Sequence, residues 1–112
     1  MLKIEIYAPE TALSDIQEAL LRADAGHLGN YRGCLSWSRV TGSWIPEEGA
    51  HPAVGEITVG ERVMEPEIKI ETVIPDDSLT DVMKEIKRVH PYEEPLINVL
   101  QLIEVNREEK HL

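Results

Sequence analysis

The chain has 112 residues, of which 42% are apolar and 29% are charged, the composition of an ordinary globular protein. This length supports one hydrophobic core but not two, and no apolar run approaches the roughly 20 residues that a membrane span requires. The formal net charge of −10 repels phosphate backbones, so nucleic acid is not an expected partner.

The first 26 residues predict a strand followed by a helix. Leu2, Ile4 and Ile6 alternate with polar residues, which is typical of a strand with one buried face that ends at Pro9. The charges within this segment are incompatible with a secretory signal, so we expect a cytoplasmic protein with no membrane contact. Between positions 10 and 25 apolar residues fall at helical spacing, namely Leu13, Ile16, Leu20 and Ala23, and Gly26 is expected to close the helix.

The middle of the chain predicts a second strand and a long loop. Residues 34–45 are rich in β-branched and aromatic residues, with Gly42 as an expected bulge. Cys34 is the single cysteine, so no disulfide can form within the chain, and we expect it to be a small buried side chain. Residues 46–66 contain three prolines, counting the two that bound the segment, and three glycines without sustained periodicity, which predicts a long functional or mobile loop.

The last third predicts a strand, a helix and a final strand. The segment 68–74 alternates as a third strand, and Ser78 with Asp81 resembles a capping box at the start of a helix. The apolar face of that helix is formed by Leu79, Val82, Met83, Ile86 and Val89. Residues 96–105 form the predicted fourth strand, and residues 106–112 form a polar tail.

The order of these elements predicts an α+β domain over residues 1–105. A βαββαβ chain with two helices of similar length favours the ferredoxin-like arrangement, an antiparallel four-stranded sheet with both helices on one face. The predicted fourth strand is apolar on both faces. Ile97, Val99, Ile103 and Val105 share one face, and Leu96, Leu100 and Leu102 share the other. Because helices cover only one side, the second set predicts a homo-oligomer that packs sheet to sheet.

Three segments resemble a known family. They are "GHLGNYRGCLSWSRVTGSWIPEEGAHPAVGE" (26–56), "IKIETVIP" (68–75) and "VHPYEEP" (89–95), which are similar to the inserted PII-like domain of Nif-three-like dinuclear-metal proteins. The segment "HPYEEP" before an apolar strand also resembles CutA-type divalent-cation tolerance proteins. The resemblance implies a PII/CutA-like fold and a homotrimer. It implies no settled activity, because the metal-binding catalytic portion of the family lies in flanking domains for which this chain has no room.

The segment "HPYEEP" (90–95) is either a structural joint or part of a metal site. As a joint, His90 caps the preceding helix, Pro91 prevents its continuation and Tyr92 packs. As a site, His90 with Glu93 or Glu94 would bind a divalent ion, and either His51 or the pair Glu47-Glu48 would join them from the long loop. The topology favours their meeting, because the loop after strand two and this segment emerge at the same end of the sheet. No spacing in the sequence confirms the site.

The segment "GHLGNY" (26–31) lies at the opposite end and lacks the glycine pattern of a phosphate loop. It is either a helix end followed by a turn, or one wall of a cleft between subunits. The predicted ligand cleft comprises Gly26, His27, Gly29, Asn30, Tyr31 and Tyr92. The acidic residues of the long loop disfavour a nucleotide phosphate there.

The sequence therefore predicts a non-catalytic, trimeric PII/CutA-like binding or regulatory module whose ligand is a small molecule or a protein partner. The alternative is a divalent metal-ion binding protein similar to CutA. Catalysis by Cys34 or a serine is disfavoured, because no histidine is placed beside either by spacing.

Overall fold

The computed structural model describes residues 1–50 and 58–105. His51 and the polar tail 106–112 therefore lie outside the described residues. The elements in chain order are β1 (Leu2–Ala8), α1 (Leu13–Arg22), β2 (Leu35–Trp44), β3 (Val63–Ile74), α2 (Leu79–Val89) and β4 (Ile97–Gln101). Short 3-10 turns, Glu10–Ala12 and Asp76–Ser78, lead into the two helices.

The four strands form one sheet in the order β2-β3-β1-β4, and every neighbouring pair is antiparallel. This is the predicted ferredoxin-like topology. The strand residues with buried aliphatic side chains all point to the helix side, where they pack with the inner faces of α1 and α2. They are Leu2, Ile4, Ile6, Ala8, Ile68, Ile70 and Ile74. Val82 and Ile86 of α2 are fully buried against them, as the periodicity of α2 predicts.

The end of α1 differs from the prediction. The helix ends at Arg22, and Asp24, with φ of 56°, supplies the left-handed residue that was expected from Gly26. The amide of Ala25 donates to the carbonyl of Leu20, which closes the turn. Gly26 has a different role, because a Cβ there would lie 2.3 Å from the carbonyl oxygen of Cys34.

The start of α2 and the course of β2 also differ from the prediction. Ser78 is the residue before α2, but its side chain makes no capping hydrogen bond because the 3-10 turn runs directly into the helix. Strand β2 pairs residue by residue with β3 through Gly42, which lies opposite Glu65, so the expected bulge is absent.

Strand β3 begins at Val63 rather than Ile68, so part of the predicted 46–66 loop is strand. Pro66 lies beyond the last residue pair between β1 and β3, so β3 is paired there with β2 only. Proline lacks a backbone N–H, and this loss is tolerated where a strand has a neighbour on one side only. Strand β4 is shorter than predicted and ends at Gln101, opposite Leu2 at the start of β1. Ile103 and Val105 are therefore 97% and 68% exposed, and the prediction that they face the helices is wrong.

No helix within the two described ranges is long and apolar enough to cross a membrane. The cytoplasmic location stays a prediction.

Candidate functional site

His90 fastens the end of α2 to β1. Its backbone amide donates to the carbonyl of Ile86, and the following Pro91 favours the extended backbone that His90 adopts. The side chain is buried, and its Nε2 lies 2.7 Å from the carbonyl oxygen of Tyr7. The amide of Tyr92 donates to Nδ1 at 3.1 Å. Because Nδ1 accepts, Nε2 must carry the proton, so the imidazole is neutral. Burial lowers the pKa of His90 below its ordinary value.

Tyr92 extends this network to β3. Its hydroxyl donates to Oε2 of Glu67 at 2.8 Å, and its ring packs at centroid distances of 5.1 Å from His90 and 6.3 Å from Trp44. Burial, followed by the contact with the Glu67 carboxylate, raises the pKa of the Tyr92 hydroxyl, which therefore stays a hydrogen-bond donor at neutral pH.

Gly42 makes room for Glu67. A Cβ on Gly42 would lie 1.8 Å from Oε1 of Glu67, which no real structure tolerates. The carboxylate thus lies directly against the backbone of β2, and Glu67 is only 7% exposed. Sequence analysis missed Glu67 and Trp44 as site residues. The signal that could have found them is Gly42 itself, since a glycine inside a strand marks either a bulge or the close approach of another group.

A cleft of about 920 Å³ opens over this network. It lies between the end of β2, the loop that follows it and the segment after His90, at the Ala8 end of β1. The side chains that give the cleft its character are aromatic, aliphatic or acidic: Tyr7, Val40, Trp44, Leu96, Glu47, Glu48, Glu67, Tyr92, Glu93 and Glu94. The described residues that line it include no lysine, arginine or histidine. An acidic cleft with aromatic walls disfavours anions and accommodates cations.

The predicted metal ligands are only partly brought together. Glu93 and Glu94 both line the cleft, next to the residues that follow β2, as the topology argument predicted. His90, however, uses both ring nitrogens in hydrogen bonds, so it could bind a metal only by giving one up. His51 lies outside the described residues. Among residues 1–50 and 58–105, no group of three or more His, Cys, Asp or Glu side chains is arranged to hold a metal ion. The metal site stays a prediction.

The segment 26–31 lies at the other end of the sheet. The amide of Gly26 donates to the carbonyl of Val73, which pairs with Lys3 at the start of β1. Leu28 and Tyr31 exchange two backbone hydrogen bonds around Gly29 and Asn30, and this tight turn leaves Tyr31 74% exposed. His27 contacts Asp24 at 2.9 Å on the surface. Of the six residues in the predicted ligand cleft, only Tyr92 lines the observed one within a single chain.

The sheet face without helices carries a compact charge network. Lys3, Glu5, Lys69 and Glu71 form alternating contacts of 2.9 to 3.5 Å, and Asn98 donates to Glu5. The Asn98 hydrogen bond lowers the pKa of Glu5, and the contact with Lys3 lowers that of Glu71. Leu100 lies beside this network opposite Lys3 and is 42% exposed, while Leu96 is 56% exposed. We call this side the open face.

Comparison with known proteins agrees with the predicted resemblance, although no family model matches the chain. The chain is 39% identical over 100 residues to a GTP cyclohydrolase 1 type 2 homolog from Halalkalibacterium halodurans. The aligned region is 89% of this chain but 26% of that protein. This chain therefore spans about a quarter of the length of the curated relatives that it matches.

The solved structures show the same relationship. The Bacillus cereus protein related to NIF3 superposes with a TM-score of 0.80 at 34% identity, over 92% of this chain and 26% of that one. The periplasmic divalent cation tolerance protein CutA from Archaeoglobus fulgidus superposes with a TM-score of 0.71 at 19% identity, over 96% and 90% of the two chains. The predicted likeness to a Nif-three-like segment and the PII/CutA-like fold are both confirmed.

Proposed function

We propose that this chain is a non-catalytic, homotrimeric PII/CutA-like ligand-binding or regulatory module. The cleft beside Tyr92 is the observation that carries this proposal. Its volume is that of a small-molecule site, and ligand pockets combine apolar walls with a few placed polar groups in the same way. The likeness of the fold to CutA proteins supports a small binding module.

The hydrogen bonds of His90 and Tyr92 disfavour a role for these two residues in acid–base catalysis. A general base needs a free nitrogen or oxygen within reach of a substrate proton. Both nitrogens of His90 and the hydroxyl of Tyr92 are instead engaged in bonds that hold the protein together. These groups shape the cleft rather than react in it.

Self-association is supported by the open face. Leu96 and Leu100 are half exposed on it, and β2 and β4 are the outer strands of the described sheet, whose backbone groups can pair with another chain. A trimer that covers the open face would bring another subunit close to the cleft, which lies at one end of the same face.

Light scattering at micromolar concentration tests the assembly. We expect three times the chain mass of 12.6 kDa, and a stable monomer would contradict the trimer. The non-catalytic assignment is tested separately with GTP and phosphodiester substrates in the presence of manganese. Turnover above that of a heat-inactivated control would contradict it.

The second candidate function is divalent metal-ion binding, which the position of Glu93 and Glu94 on the cleft favours. Calorimetry with zinc and copper tests it on the wild-type chain, on Glu93→Gln/Glu94→Gln and on His51→Ala. The matched control is Glu18→Gln, since that side chain is 70% exposed on α1. Heat that disappears in the cleft variants but not in the control supports metal binding. Heat that is absent, or equal in all variants, rejects it.

A further inference from the structure

Glu67 is a buried carboxylate that pairs with no cation among the described residues. It is 7% exposed, and its one hydrogen bond within the described residues is the bond that Oε2 accepts from Tyr92. None of the ion pairs formed within residues 1–50 and 58–105 includes it. Lys69, two residues along the same strand, contacts Glu5 and Glu71 instead. No buried side-chain oxygen among the described residues lacks a hydrogen-bond partner, so Oε1, which accepts no hydrogen bond there, keeps contact with the space of the cleft. A carboxylate that is largely buried is stabilised by a positive partner.

The free oxygen of Glu67 faces the cleft. Oε1 occupies the space that a side chain at position 42 would fill, and both Gly42 and Glu67 line the cleft. A group that enters the cleft beside Trp44 and Tyr92, whose rings pack against each other, would approach Oε1.

The walls define the chemistry of that group. Trp44, Tyr92 and Tyr7 present aromatic surface, which attracts an organic cation through cation–π contacts, and Leu96 adds aliphatic surface. A guanidinium prefers two parallel carboxylate oxygens, but Oε2 is already occupied by the Tyr92 hydroxyl. A single free oxygen matches the point charge of an ammonium. Glu47, Glu48 and Glu94, which we call the acidic mouth, also line the cleft and favour a second positive charge farther along the same molecule.

We propose that the cleft binds a primary alkylammonium group, with its nitrogen at Oε1 of Glu67 and its carbon chain along Trp44 and Leu96. This inference rests on the proposed function as a binding module and names its ligand class. Two sources carry this chemistry, a free linear polyamine and the lysine side chain of a polypeptide, and the acidic mouth favours the polyamine.

Calorimetry with spermidine as the probe tests the proposal. We expect binding by the wild-type chain and at least about tenfold weaker binding by Glu67→Gln, because one charge-assisted hydrogen bond is lost. The glutamine still accepts from Tyr92, so the fold is retained. The matched control is Glu65→Gln, since Glu65 lies two residues away on the same strand and does not line the cleft. Equal weakening by both variants would show general attraction to an acidic surface and overturn the proposal.

The two tryptophans give a second pair of variants. Trp44 lines the cleft, whereas Trp37 lies on the same strand but points to the other face and does not line it. Trp44→Leu should weaken spermidine binding severalfold, and Trp37→Leu should leave it unchanged. In Trp37→Leu the fluorescence of the remaining Trp44 should change on addition of spermidine. No change in fluorescence together with no heat overturns the proposal.

Further probes distinguish a polyamine from a lysine side chain, and distinguish both from a metal ion. Tighter binding of Nα-acetyl-lysine amide than of spermidine would assign the site to a polypeptide, still through an ammonium. Zinc binding without spermidine binding would overturn the ammonium ligand but leave the proposed binding module standing. A monomeric mass together with spermidine binding would contradict the proposed trimer but leave the ammonium ligand standing.

Discussion

The Nε2 atom of His90 lies 2.7 Å from the carbonyl oxygen of Tyr7, and this bond joins residues 83 positions apart in the chain. It connects the first residue after α2 to the far end of β1. The second ring nitrogen, Nδ1, accepts a hydrogen bond from the amide of Tyr92. The two hydrogen bonds of the imidazole together fix the direction in which the chain leaves α2. The cleft wall formed by the next residues depends on this ring.

The first prediction concerns the stability that His90 provides. His90→Ala removes two hydrogen bonds and leaves a buried void, so we expect the free energy of unfolding to fall by about 2 to 4 kcal/mol. Urea denaturation followed by circular dichroism measures it. His27→Ala is the matched control, because His27 contacts Asp24 at the surface, and it should change stability by less than about 0.5 kcal/mol. Similar losses in the two variants would show that His90 has no special role.

The second prediction concerns pH. The pKa of His90 in the folded chain lies below its ordinary value of 6.5, chiefly because the ring is buried, while the Tyr7 carbonyl and Glu67 oppose this shift. Between the two pKa values the unfolded chain binds more protons, so stability is complete above about pH 6.5 and falls as the pH drops toward the folded pKa. A proton on Nδ1 would also meet the amide of Tyr92.

Denaturation curves between pH 7.5 and about pH 5.5, with a chelator present, measure this dependence. Glu5 and Glu71, whose pKa values are lowered from 4.5, lose their contribution only at lower pH. His90→Gln should remove the decrease in this window. An unchanged slope in the variant would assign the decrease to another group.

The course of the strands and helices could be predicted because periodicity is local. The alternation of Leu2, Ile4 and Ile6 and the steps between Val82 and Ile86 each determine a buried face without reference to the rest of the chain. The end of β4 could not be predicted in this way. Residues 102–105 remain apolar in pattern, but the strand stops at Gln101 because its partner β1 begins at Leu2.

The site was harder to predict because it too depends on contacts between strands that are distant in the sequence. The segment after His90 and the loop after β2 could be placed at one end from topology alone, and Tyr92, one of the predicted cleft residues, lines the cleft there. Glu67 could not be distinguished from the other acids nearby, since only the register of β2 with β3 places it diagonally across from Gly42. A bulge and a close approach look alike in sequence, and the tertiary contact decides between them.

The third prediction tests that contact. Gly42→Ala places a methyl group where Oε1 of Glu67 now lies, so the carboxylate must move and its bond with Tyr92 is strained. We expect a loss of about 1 to 3 kcal/mol in the free energy of unfolding. In a Glu67→Ala background the same substitution should cost much less, because the clash is absent. A double-mutant cycle by urea denaturation measures the difference. Additive effects would contradict the proposed close contact.

The fourth prediction concerns the open face and the trimer. Leu100 and Leu21 have nearly the same exposure, 42% and 41%, but Leu100 lies on the open face and Leu21 lies on α1. Glutamate at position 100 would face Lys3 across the strand pair, so a single chain tolerates the substitution. In a trimer that packs on the open face, the same carboxylate would be buried at the interface and would destabilise it. Leu100→Glu should therefore lower the mass measured by light scattering toward that of one chain.

Leu21→Glu is the matched control for this experiment, and it should leave the mass unchanged because the helix side is not the proposed interface. Circular dichroism of both variants verifies that the chain still folds. If both variants keep the mass of the wild-type assembly, Leu100 is not at the interface. In that case β2 and β4, the outer strands of the described sheet, are the next candidates for the interface, since the outer backbone groups of an edge strand can pair with another chain.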